Sequence, residues 1–71
     1  MANLFHLIWY DYATGEMNYF QGVSPREDLE SLLKEGRTWK SWLAPEEEKE
    51  RTLKIAELDE EGNLVKTFEI E

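Results

Sequence analysis

The chain has 71 residues, no cysteine, and sixteen acidic side chains against eight basic ones, for a net charge of −8. Disulfides and thiolate metal sites are excluded, so one small core must carry a single domain spanning residues 1–71. Phosphate backbones and anionic lipids bind by gathering cationic side chains, so neither nucleic acid nor membrane is expected as a direct partner.

No apolar run approaches the ~18 residues of a membrane span, and Met1-Ala2-Asn3 lacks the basic start of a secretory signal. With no cysteine to oxidise, the chain reads as a soluble cytoplasmic protein. Leu4 to Tyr12 is a run of leucine, β-branched and aromatic residues with one histidine and one aspartate, broken by Ala13-Thr14-Gly15-Glu16. Met17 to Val23 resumes the run, and the pair predicts a β-hairpin.

Ser24-Pro25-Arg26-Glu27 then has the form of a helix start. The Ser24 hydroxyl and Glu27 carboxylate would form a reciprocal capping box, with Pro25 at the first helical position. Leu29, Leu32 and Leu33 recur at helical spacing as one apolar stripe, and Gly36 offers a left-handed stop. These features predict a helix over 25–35. Pro45 to Glu50 predicts a short acidic helical turn. Leu53 and Ile55 alternate with polar residues, and Asp59-Glu60-Glu61-Gly62-Asn63 has turn chemistry. A second hairpin is therefore expected, with strands at 52–59 and 63–70; one helix from Pro45 to Glu61 is the alternative. The resulting class is α+β, a small ββαββ domain with two antiparallel hairpins on one main helix.

The first strand is apolar on both faces. Leu4, His6, Ile8, Tyr10 and Tyr12 point one way, while Phe5, Leu7, Trp9 and Asp11 point the other. Three helical leucines can cover one face, and Phe5, Leu7 and Trp9 with Phe20 are the larger, less polar set. Ile8, Tyr10, Tyr12, Met17 and Tyr19 are left facing away. Trp39, Trp42 and Leu43 could fold over them, a second copy could bury them in a homodimer, or another protein could dock there.

Catalytic and metal chemistry is sparse. His6 is the one histidine, without a second ligand at metal-binding spacing, and it reads as a hydrogen-bonded structural residue. Ser24 is expected as a cap and Ser31 on the polar side of a helix, so neither suggests a nucleophile. The four glycines are scattered turn residues rather than a phosphate cradle, and Asp59-Glu60-Glu61 lacks the ligand alternation of a calcium loop. No enzyme, cofactor or metal site is expected.

The segments Ile8-Trp9-Tyr10, Gly15-Glu16, Gln21-Gly22-Val23-Ser24, Leu29 and Leu33-Lys34-Glu35-Gly36-Arg37 resemble the start of GYF-type domains. Those are adaptors that bind proline-rich peptides on an aromatic patch beside a short helix. The resemblance covers about the first 37 residues. Val23 stands where the pattern has proline, and the family's later tryptophan-glycine segment is absent.

Two functions follow, both non-catalytic and both requiring another protein as partner. The first is an acidic inhibitor or regulator, similar in composition to phage-type inhibitors, some of which imitate the charge of DNA. Glu57, Asp59, Glu60 and Glu61, with Glu69, Glu71 and Glu46 to Glu48, would occupy a basic groove. The second is an adaptor whose aromatic residues, Trp9, Tyr10, Tyr12, Tyr19, Trp39 and Trp42, hold a peptide or proline-rich segment, as the resemblance implies.

Overall fold

The computed structural model describes residues 2–71. In chain order the elements are β1 (Leu4–Asp11), β2 (Met17–Tyr19), α1 (Leu29–Ser41), α2 (Pro45–Glu50), β3 (Arg51–Leu58) and β4 (Leu64–Glu69). They form a four-stranded antiparallel sheet of order β2-β1-β3-β4 with one main helix against it, the expected α+β class. Both hairpins are present, and they join through their long strands. β1 and β3 pair along their whole length, from Leu4 opposite Leu58 to Asp11 opposite Arg51. Strands with apolar residues on both faces belong at the centre of a sheet, and these two have them.

The two hairpin turns use the same chemistry. In the first, Asp11 accepts the Ala13 and Thr14 N–H groups on Oδ1, and Gly15 takes φ 73°. In the second, Asp59 Oδ1 accepts from Glu61 and Asn63 N–H at 2.9 Å, and Gly62 takes φ 84°. Aspartate ties the turn to its own backbone, and glycine supplies the left-handed residue.

The main helix differs from the expected 25–35 at both ends. Ser24 to Glu27 does not open it, because Arg26 pairs with the edge of β1 instead. Phe5 N–H donates to the Arg26 carbonyl at 2.7 Å, and Arg26 N–H donates to the Phe5 carbonyl at 2.9 Å. Those two backbone bonds satisfy the part of β1 that short β2 does not reach, and they hold this segment extended. Asp28 becomes the N-cap, its Oδ1 accepting the Glu30 N–H. Gly36 does not end the helix either. It is buried inside α1, where a Cβ would lie 2.8 Å from Ile70 Cδ1 and 3.2 Å from Leu7 Cδ2. The glycine lets helix and sheet approach closely, and α1 runs on until Trp39 reaches the core. We expect Asp28→Ala to destabilise the domain by ~1 kcal/mol and Ser24→Ala to leave it within ~0.5 kcal/mol of wild type. Urea midpoints of the two variants check this.

The second strand is also shorter than the expected 17–23. Phe20 N–H still donates to the Leu7 carbonyl at 2.9 Å, but the chain then turns away at Gln21-Gly22 and buries Val23. The core lies between α1 and one face of the sheet. Leu7, Val23, Leu32, Leu53, Ile55 and Ile70 form its buried cluster, with Phe5, Trp9, Phe20, Leu29, Leu33, Trp39 and Phe68 packed around it. Phe5, Leu7, Trp9 and Phe20 are thus the core set that strand alternation selects.

Candidate functional site

The register places Leu4, His6, Ile8 and Tyr10 of β1 on the opposite face from the helix. Cross-strand partners share a face, so Met17 and Tyr19 of β2 join them, as do Thr52, Lys54, Ala56 and Leu58 of β3. Leu64, Thr67 and Glu69 of β4 complete the set. No helix of the described residues packs on this side.

The tryptophans that could have covered it lie in the helix layer. Trp39 stacks edge-on against Phe20 at 5.1 Å, on the core side. Trp42 stacks on Trp39 at 5.1 Å and is 70 % exposed. Of the three ways to cover the second face, the tryptophans are therefore ruled out. Extension of α1 through Ser41 carries both rings along the helix, and α2 then leads the chain back into β3.

Side chains of the sheet itself shelter the open face in part. Ile8 and Ala56 are buried at its floor. The Tyr19 ring lies 4.7 Å from His6, and Lys54 Nζ sits 4.3 Å from the centroid of Tyr10 while pairing with Glu69 at 3.3 Å. Tyr12 meets Tyr10 edge-on at 5.7 Å. His6 Nδ1 is 2.8 Å from the Leu7 carbonyl; a carbonyl can only accept, so Nδ1 carries the proton. His6 is thus hydrogen-bonded within its own strand.

Above this floor the apolar side chains are open to water. Met17 is 42 % exposed, Tyr19 53 % and Leu64 48 %. Together with Ile8, Asn18, Ala56, Leu58 and Gly62 they line a groove of about 350 Å³. Strand alternation finds Ile8, Tyr10, Tyr12, Met17 and Tyr19 on this side. It misses Leu58 and Leu64, because the strand order that sets them beside Ile8 has no local signature. Their apolar type beside the second hairpin's turn is the signal that points to them once the order is known.

The acidic residues do not gather along one edge. Asp59, Glu60 and Glu61 form the β3–β4 turn at the Leu4 end of the sheet, and Glu57 accepts from Asn3 Nδ2 at 2.7 Å nearby. Glu46, Glu47, Glu48 and Glu50 sit on α2 at the Asp11 end, where Glu47 pairs with Arg51 at 3.5 Å. The length of β3 separates the two groups by ~25 Å. Glu69 lies on the open face beside Lys54, and Glu71 closes the chain, its carbonyl accepting from Arg37 Nε. Several cations are held on the helix layer: Arg26 pairs with Glu35, and Lys40 Nζ donates to the Ile70 carbonyl. Arg51 lies over the Trp9 ring at 4.0 Å.

Among the described residues no group of three or more His, Asp or Glu side chains is placed to hold a metal ion, and no helix is long and apolar enough to cross a membrane. Compared with protein-family models, curated proteins and solved structures, the chain matches none, and the likeness of its first part to GYF-type domains has no family match behind it.

Proposed function

We propose that this chain is a non-catalytic protein-binding domain, an inhibitor or regulator that acts by covering part of another protein's surface. The observation that carries the reading is the uncovered sheet face. A single layer of helix packs on the sheet, and large apolar side chains remain exposed on the other side around a groove.

Tyrosine, methionine and leucine at 40 % exposure or more are costly to leave in water across one continuous face, and such patches commonly mark interaction sites. Tyr19 and Tyr10 also add large rigid area at low entropic cost. The acidic groups at the two ends of the sheet complement this surface. They steer a basic partner to the face and repel acidic ones, which supports the regulator of a basic protein over an adaptor for neutral peptides. Trp39 is left out of the proposed contact surface, because it lies half-buried against the core cluster on the helix side. Glu57 and Asp59 act as charge rather than contact, since both are engaged within the domain.

The test is capture of a partner from cells that make this chain, purification of that partner, and measurement of binding to defined variants. Tyr19→Ala and Leu64→Asp should each weaken binding about tenfold or more, the effect of losing ~1–2 kcal/mol at a contact. Their melting temperatures should stay close to wild type, and Trp42→Ala should bind normally. Undiminished binding by both face variants, with loss in Trp42→Ala, would place the interaction on the helix layer and refute the reading.

A further inference from the structure

We infer that the groove on the open face receives a short amphipathic helix bearing lysine or arginine beside its apolar stripe. The inference rests on the reading of that face as a docking surface and adds the class of partner.

The groove runs obliquely across the four strands, from the level of Ile8 on β2 to the level of Leu4 on β4. Its lining begins with Met17 and Tyr19 on β2, passes over Ile8 on β1 and Ala56 and Leu58 on β3, and ends at Leu64 on β4. Three inter-strand spacings across the sheet and about four residues along it make this ~20 Å, the length of about thirteen residues of α-helix. An added β-strand would run alongside an edge strand, not across four of them, so the direction selects a helix. Its volume of about 350 Å³ has room for about two large apolar side chains, since ~150 Å³ holds a benzene. Two such anchors one helical turn apart stand ~5–6 Å from each other and can share one groove of this length.

Charge selects the partner's sign. The wall at the β4 end is the turn that contributes Gly62, and the same turn carries Asp59, Glu60 and Glu61. At the β2 end Glu16 directly precedes Met17. On the face between them, Lys54 is already paired with Glu69. A helix lying in the groove therefore has carboxylates near both ends, and basic residues flanking its anchors meet opposite charge. A second copy of this chain is disfavoured as occupant, because it would bring another net charge of −8 onto the same face.

The experiment uses the isotopically labelled 71-residue chain and two synthetic peptides of about fourteen residues. Both carry leucines at helical spacing; one has lysine at the remaining positions and the other glutamate. The lysine peptide should shift the backbone resonances of Ile8, Met17 to Tyr19, Ala56, Leu58, Gly62 and Leu64. Its affinity should fall about tenfold between about 50 and 300 mM salt, and in Leu64→Glu and Met17→Glu. The glutamate peptide should leave the spectrum unchanged.

Equal binding of both peptides in the groove would overturn the charge assignment while leaving the face a docking surface. Shifts centred on Glu46 to Glu50, or none with either peptide, would overturn the inference. So would sedimentation of the wild type as a dimer that Leu64→Glu dissociates, because the occupant would then be a second copy.

Discussion

Leu32→Ala should leave the domain largely unfolded at physiological temperature. Leu32 is fully buried on the helix, in the cluster formed by Leu7, Val23, Leu53, Ile55 and Ile70. Removing a leucine side chain from such a site costs ~2–5 kcal/mol, from lost burial and from the cavity left behind. A single core of this size yields ~3–5 kcal/mol in total, so the loss is comparable with the whole stability. A reduction of ~3 kcal/mol lowers Tm by about 12–24 °C in a domain of this length. The cavity has little chance to collapse, because buried Gly36 already sets helix and sheet in close approach at Ile70 and Leu7. Thermal melts followed by circular dichroism measure the effect. A melt within a few degrees of wild type would mean that α1 does not pack on the sheet through this residue.

The second large effect separates the two tryptophans of the helix layer. Trp39 contacts Phe20 on one side and Trp42 on the other, and it packs against the core cluster. Trp39→Ala should cost ~3–5 kcal/mol, the range for removing a large aromatic from a core. Trp42 is mostly in water and contributes chiefly its edge-on contact with Trp39, so Trp42→Ala should cost ~1 kcal/mol. The intermediate size of that smaller effect matters. If Trp42→Ala unfolds the chain, Trp42 is covering apolar surface that the structure leaves open, and the second face of the sheet is core. Denaturant titrations of both variants under one buffer decide between these outcomes.

The elements of the second half were legible because their signals are local. Proline and three glutamates mark α2, alternation marks β3, and Asp59 with Gly62 marks the turn before β4. The main helix was legible in its apolar stripe but not in its ends. Ser24-Pro25-Arg26-Glu27 is a competent local start, yet the free edge of β1 beyond short β2 offers Arg26 two backbone hydrogen bonds, and the extended form prevails. Gly36 carried the same ambiguity. A glycine after a leucine stripe reads as a stop, and its packing on Ile70 and Leu7 depends on residues far away in the chain. Half of the candidate site was readable in the same way. The alternation of the first strand separates Ile8, Tyr10 and Tyr12 from Phe5, Leu7 and Trp9 without any tertiary information. Leu58 and Leu64 enter the site only through the β1–β3 pairing, a long-range contact that no local pattern encodes.

The central claim is that the sheet face bearing Ile8 is uncovered in the isolated domain, and a soluble paramagnetic agent tests it most directly. Added to a dilute sample of the labelled chain, it broadens side-chain resonances according to their access to solvent. The Met17 methyl, the Tyr19 ring and the Leu64 methyls should broaden strongly and equally at all protein concentrations, while Leu7, Leu32 and Ile55 stay sharp. Protection of Met17, Tyr19 and Leu64 to the level of those core residues would contradict the account, because something within the chain or a second copy would already occupy the face.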